Sequence, residues 1–226
     1  MIMLIGNDFI HNMICINIRY GGLEYLLKAY DQSQKDFSGY FYLIDDNKLD
    51  LKNFKYFLNK LGLEKDKIGN ILHIRKNQNR KYLKIYGNIY NDYKNDKLES
   101  YDEDYINEFK NHLPVIDIED EKKVFRDLNN YKKKYYFFNK YLYHGYDPTY
   151  DDIIKEEIND ICKNYFESIV WTTNYYFNDC LSWKWYYKYH YSPLLSDLNE
   201  YLKDINNLNI IKKDLKPLTN VEQLLL

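Results

Sequence analysis

Two segments of this 226-residue chain concentrate residue types that could do chemistry. The first is Gly6-Asn7-Asp8-Phe9, directly after the apolar run Met1–Ile5. A glycine followed by two short polar side chains favours a turn, and Asp8 is then either an oxygen ligand for a divalent cation or an ordinary turn or N-cap residue. The second runs from Cys180 to Asp197 and packs Trp183, Trp185, Tyr186, Tyr187 and Tyr189 into a short span. Such rings brace a core or form a binding surface, and of Trp183 and Trp185 one packing residue and at most one functional residue are expected. A third candidate is the run Lys132, Lys133 and Lys134 ahead of Tyr135 and Tyr136. It reads either as a phosphate contact or as a solvated face of a lysine-rich chain.

Other acidic groups do not form an obvious site. Asp45-Asp46, Asp102-Glu103-Asp104 and Asp151-Asp152 are sequence neighbours in polar surroundings. On a helix such neighbours point about 100° apart and read as solvated surface. Histidines 11, 73, 112, 144 and 190 have no zinc spacing, and His190 reads as a hydrogen-bonded structural residue. No P-loop, dinucleotide fingerprint or serine-histidine-aspartate arrangement is present.

The elements that must position these residues are helical. Leu23, Leu26, Leu27 and Tyr30 recur at helical spacing after Gly21-Gly22. Asp50 is expected to cap a second helix with Leu51, Phe54, Leu58 and Leu61 on its apolar face and Gly62 at its end. Residues 68–130 read as a solvated, partly ordered connection, with a basic stretch at Lys76–Lys81 and acidic groups at Asp117–Asp120. Asp147-Pro148-Thr149 opens a long helix on which Ile158, Ile161, Cys162, Tyr165, Phe166, Ile169, Val170 and Thr173 share a face. Trp171 reads as core. The fold class is mainly α, with few or no strands.

Composition narrows the class. Hydrophobic residues at 45% and charged residues at 29% are ordinary for a globular protein, and a net charge of −2 gives no overall basic signal. Any nucleic-acid contact must therefore come from a local patch or a partner. Ala29 is the only alanine, and 27 tyrosines accompany abundant Lys, Asn, Ile and Asp. That set reads as AT-rich coding bias, so Gly6, Gly21, Gly22, Pro193 and the tryptophans stand out as residues with a physical purpose. The cysteines, Cys15, Cys162 and Cys180, are odd in number and lack a Cys-x-x-Cys pair, which suits a reducing compartment. No signal peptide or membrane-length apolar run is present, so an intracellular, soluble protein without membrane attachment is expected.

Residues 182–198, SWKWYYKYHYSPLLSDL, resemble the XRN-type 5′→3′ exoribonuclease motif SWSWYYPYHYAPxxSDL. In family order come YKKKYYFFNK (131–140), VWTTNYYFNDC (170–180) and LKPLTNVEQLLL (215–226). At the other end, residues 1–27 are similar to LGNDFLPHLPSLxIREGAIELLL. The resemblance covers residues 1–63 and 131–226 and leaves the middle unmatched. It implies the irregular helical domain of that family over 1–226: a GNDF-containing start (1–63), the diverged connection (68–130) and a helical part (131–226).

The resemblance further implies a metal-dependent nuclease acting processively on single-stranded RNA with a 5′-monophosphate. Asp8 maps onto one of its metal-binding carboxylates, for Mg²⁺ or Mn²⁺. A tryptophan of the helical region stacks on a base, a role open to Trp183 or Trp185, and the lysines 132–134 could contact RNA phosphates. The other carboxylates lie ahead of GNDF in an α/β portion, so this chain alone is expected to be inactive and to need that amino-terminal nuclease part. An apolar patch near Met1–Ile5 and Phe9 is expected where that part would pack. After GNDF, Ile10-His11-Asn12-Met13-Ile14 replaces a segment with two prolines, which could shift the turn. The competing expectation is a catalytically silent RNA-binding or protein-interaction module.

Overall fold

The computed structural model describes residues 1–37, 40–118, 122, 124–125, 128–129, 131–144, 150–208, 211, 213–214, 216–217 and 219; side chains of 140–144 and 150–154 are not described. The chain forms two compact units, Met1–Glu64 with Asn139–Leu226, and Lys65–Phe138.

In the first unit a short 3₁₀ helix, Ile2–Ile5, leads into the Gly6 turn, and a second, Ile18–Tyr20, precedes α1 (Gly22–Lys35). Gly22 follows Gly21 because a Cβ at 22 would lie 2.6 Å from the Asn17 carbonyl oxygen, while Gly21 takes a φ of 75°. A two-residue hairpin follows, β1 (Ile44–Asp45) and β2 (Lys48–Leu49), with Ile44 opposite Leu49. Its turn residues Asp46 and Asn47 both have positive φ, which is the geometry that lets a tight turn match the twist of its strands. The acidic pair 45–46 is thus hairpin surface. Asp50 caps α2 (Leu51–Lys60) by accepting from the Asn53 N–H at 2.8 Å, and Gly62 follows with a φ of 69°.

The centre of this unit is α6 (Tyr150–Phe177). Ile161, Cys162, Tyr165, Phe166, Ile169, Val170 and Thr173 are buried, as their spacing predicts, and Ile158 is half-buried. The charged residues of the helix lie mainly in its earlier turns. From Asn164 to Thr173 only Glu167 escapes burial, since Ser168, Trp171 and Thr172 are covered as well. A helix covered on all sides is a core helix rather than a surface one. The proposed start at Asp147-Pro148-Thr149 and the pair Asp151-Asp152 fall outside the described residues or side chains.

α7 (Leu195–Leu202) buries Leu195, Leu198 and Leu202. Its N-cap, Leu194, offers no side-chain acceptor. Glu64 takes that place: its carboxylate accepts from the Ser196 N–H at 3.0 Å and the Ser196 hydroxyl at 2.6 Å. Glu64 is fully buried, and the helix N-terminus is where a carboxylate is best accommodated.

The second unit contains the segment 68–130, read as a partly ordered connection with some helix, and its described residues are mostly helical. Residues 64–94 form one helix, α3 (Glu64–Lys94), and α4 (Glu103–Ile116) packs against it around Tyr86, Ile89, Tyr90, Phe109 and Ile116. α4 is capped by Asp102, which accepts from the Asp104 N–H at 3.0 Å, so the 102–104 acidic group is helix-start chemistry. The regularity of these helices was hidden in the sequence for a physical reason. The part of α3 that packs on α4 is carried largely by Tyr82, Tyr86, Tyr90 and Tyr93, residues that composition alone assigned to coding bias, and buried Asn79 interrupts the pattern. Asn79 is satisfied there, donating to the Ile116 carbonyl at 2.6 Å and accepting from Lys122 Nζ at 3.0 Å. α5 (Tyr131–His144) completes the described helices.

Candidate nucleic-acid interface

The Gly6 turn is closed from within. Gly6 has a φ of 96°, and a Cβ there would sit 2.8 Å from Asn12 N, so glycine is required by conformation and by space. The Asn7 side chain accepts from the N–H groups of Phe9 (2.9 Å) and Ile10 (3.1 Å), and Asn7 N–H donates to the Ile10 carbonyl at 3.0 Å. Ile10 and Met13 are buried on the return. The turn therefore forms without the family's prolines. Asp8, at its tip, is exposed.

α6 holds this turn and the aromatic segment on one platform. Phe9 meets Trp171 edge-on at 5.0 Å and Tyr175 at 5.2 Å. Trp171 in turn stacks on Tyr175 at 5.2 Å and Trp185 at 5.6 Å, and its Nε1–H donates to the Ser182 carbonyl at 2.9 Å. Nearly two turns earlier, the Tyr165 hydroxyl donates to the His11 carbonyl at 3.0 Å, and its ring lies 5.7 Å from that of Tyr187.

Two polar side chains of α6 fix the aromatic segment. Asn164 Oδ1 accepts from the Lys188 N–H at 2.9 Å, and its Nδ2 donates to Glu167 Oε2 at 3.0 Å. The same Glu167 oxygen accepts from Trp185 Nε1 at 3.4 Å. Trp171, Tyr165, Asn164 and Glu167 were not named as site residues. The available signal was a polar pair three residues apart that flanks the apolar Tyr165 and Phe166.

The tryptophans separate by environment. Trp185 is half-buried in the Trp171 stack and serves as the packing ring. Trp183 is 48% exposed, although its backbone is anchored by donation to the Asp214 carbonyl at 3.3 Å. Lys184 beside it pairs with Asp214 at 3.3 Å. His11 lies near both Tyr187 and His190, and desolvation, followed by the charge of His190, holds its pKa below the ordinary histidine value. His190 itself is exposed.

Asp8, Trp183 and Trp185 belong to the first unit, whereas Lys132, Lys133 and Lys134 belong to the second. There, Lys133 is exposed, Lys132 and Lys134 are half-buried, and Tyr135 and Tyr136 are core residues in edge-on contact at 5.3 Å. Among the described residues no three His, Cys, Asp or Glu side chains converge in a way that could hold a metal ion. A single exposed carboxylate does not hold Mg²⁺ or Mn²⁺, which take several oxygen ligands, so these residues do not by themselves fit the metal site.

The 3₁₀ start borders an apolar cavity, whereas the expected patch also included Phe9. A cavity of about 400 Å³ is lined by Met1, Ile2, Leu43, Ile169, Tyr176 and Phe177 among others, and Ile2 is 63% exposed. Phe9 is drawn instead into the Trp171 stack. No described helix is long and apolar enough to cross a membrane.

The family model described as the Xrn1 helical domain matches residues 1–104 and 129–226. The match takes in α3, so the unmatched middle is shorter than the motifs alone indicated. Human 5′-3′ exoribonuclease 1 is 27% identical over 242 residues, covering 98% of this chain and 13% of the relative. The Saccharomyces cerevisiae enzyme of the same name is 31% identical over 123 residues, covering 53% of this chain and 7% of the relative. Arabidopsis thaliana 5′-3′ exoribonuclease 2 is 25% identical over 254 residues, 86% of this chain and 25% of the relative. The chain thus spans a small part of the length of the curated relatives it matches. It belongs to the Xrn1 helical domain family.

Proposed function

We propose that this chain is the helical portion of a 5′→3′ exoribonuclease core that processively degrades single-stranded RNA bearing a 5′-monophosphate, and that it does not catalyse by itself. The observation that carries the reading is the shared platform: α6 holds the turn that exposes Asp8 and the segment that exposes Trp183. Trp183 offers a surface indole on which a base can stack. Such stacking contributes about 1–3 kcal/mol per base and tolerates any sequence, which stepwise degradation requires. Lys132, Lys133 and Lys134 are assigned as phosphate contacts of the second unit.

Asp8 contributes one oxygen ligand to a divalent-metal site whose remaining carboxylates come from an amino-terminal nuclease part. The apolar cavity at Met1–Leu4 supports docking of that part, because an apolar surface of this kind gains by being covered. The alternative, a catalytically silent RNA-binding or protein-interaction module, is favoured by the net charge of −2 and the altered sequence after Asp8.

The test is hydrolysis of 5′-monophosphorylated single-stranded RNA with Mg²⁺ or Mn²⁺, by this chain alone and together with an amino-terminal nuclease part. Activity in the pair only, abolished by Asp8→Ala, is expected. Activity of the pair that ignores Asp8→Ala would remove Asp8 from the site. RNA binding without hydrolysis in either case, weakened by Trp183→Ala, would establish the silent module.

A further inference from the structure

α3 carries an unusual distribution of charge for a chain of net charge −2. From Lys67 to Asn91 it contains Lys67, Arg75, Lys76, Arg80, Lys81 and Lys84 and no aspartate or glutamate. Burial sorts these cations. Arg75 is half-buried and donates to the Pro114 carbonyl at 3.1 Å. Lys76, Arg80, Lys81 and Lys84 are exposed. At about 100° per residue they fall within roughly 140° of the helix circumference, and Lys76, Arg80 and Lys84 follow one another at about 6 Å of axial rise.

Among the described residues none of these four is in an ion pair. Lys81 lies over the Tyr82 ring at 5.7 Å. His73, Asn77 and Asn88 are interleaved on the same exposed side. Four like charges on one face repel one another by a few tenths of a kcal/mol per neighbouring pair, so their own helix gains nothing from the arrangement.

We propose that this face of α3 is a second RNA-binding surface, a ridge formed by Lys76, Arg80 and Lys84 that contacts the phosphodiester backbone. It rests on the reading of the chain as an RNA-handling protein and is separate from base stacking at Trp183. Charge complementarity selects the occupant, since a regular row of unpaired cations with interleaved amides suits a continuous polyanion. An anionic membrane is disfavoured, because a surface-lying helix inserts its apolar face into lipid. The apolar face of α3, with Ile68, Leu72, Tyr86 and Ile89, is already buried in the protein.

The experiment is titration of the full chain with a fluorescein-labelled single-stranded oligouridylate across a KCl series. The variants are the triple Lys76→Gln, Arg80→Gln, Lys84→Gln and the single Trp183→Ala. All three ridge positions are exposed, and glutamine keeps helix propensity, so the fold is retained.

Each phosphate contact on a single strand contributes about 0.7 to the slope of log K against log salt, so the triple variant should lose about 2 from that slope. Its affinity at physiological salt should fall by about tenfold or more. Trp183→Ala should weaken binding with the slope unchanged. An unchanged slope in the triple variant, with Trp183→Ala still weakening binding, would overturn the ridge and leave the stacking assignment standing. Loss of slope with no effect of Trp183→Ala would support the ridge and remove the tryptophan. Absence of RNA binding by the unmodified chain would overturn both. Binding to phosphatidylserine–phosphatidylcholine vesicles lost in the triple variant, with RNA binding unaffected, would make the occupant a membrane and overturn the proposal.

Discussion

The two units hold their functional candidates by different means. In the unit built on α6, each candidate is positioned by side chains far away in sequence. Tyr165 reaches the His11 carbonyl, Asn164 and Glu167 hold the aromatic segment, Trp171 bridges Phe9 and Trp185, and Glu64 caps α7. In the unit built on α3 and α4, the core is a local helix pair with tyrosines on its inner face, and the cations occupy the outer face of the same helix. A site assembled from distant anchors is sensitive to any one of them. A ridge on a single helix needs only that helix to persist.

The largest effects test whether this division is real. Trp171→Ala should cost about 3–5 kcal/mol, since it empties a buried ring site and releases both Phe9 and Trp185. Phe109→Ala, fully buried between α3 and α4, should cost a similar amount. Hydrogen exchange separates them: Trp171→Ala should loosen amides of 1–64 and 139–226, and Phe109→Ala those of 65–138. Equal loosening everywhere in both variants would break the comparison.

Next in size is Glu64→Ala, expected to destabilise by about 1–3 kcal/mol in urea unfolding, because the Ser196 N–H and hydroxyl lose their acceptor. Glu64→Gln should recover part of that loss. Full stability in Glu64→Ala would mean that α7 needs no distant cap.

The pH response sharpens the other side. Hydrogen bonding to Glu108, together with desolvation, pushes the Tyr86 hydroxyl up to about 12. The folded state therefore keeps a proton that the unfolded chain releases near the ordinary value of 10.0. The stability this provides is complete below pH 10, and is lost as pH rises through 12. Urea unfolding in that window should show a shallower pH dependence for Tyr86→Phe, and an unchanged profile would remove Tyr86 from the account. Tyr101, bonded to Asp92, shifts in the same direction, so the dependence should shrink without vanishing.

The smallest effect belongs to Lys184→Ala. Its pair with Asp214 is largely exposed, and exposed pairs contribute roughly 0–1 kcal/mol, so the unfolding midpoint should barely move.

Much of the first unit was legible from pattern. The apolar face of α6 follows from 3.6-residue spacing, the α2 cap from Asp50, and the glycines at 6, 21 and 22 from their rarity in this composition. The α3–α4 pair was not legible, because its inner face uses tyrosine and one buried asparagine, residue types that pattern reading counts as neutral or polar. The ordering of Trp183 and Trp185 was equally hidden. Both are tryptophans two residues apart, and only their surroundings distinguish them.

By itself, the sequence determined the helical class, the position of the turn at Gly6 and the residues of the aromatic segment, because backbone preference and periodicity are local properties. Tertiary structure alone decided that Asp8 is exposed on a turn anchored to the same helix as Trp183, that Trp185 is the packing ring, and that Glu64 caps α7. Those outcomes depend on which distant side chains fill each space and satisfy each buried donor, a matter of volume and hydrogen-bond geometry that no spacing along the chain encodes.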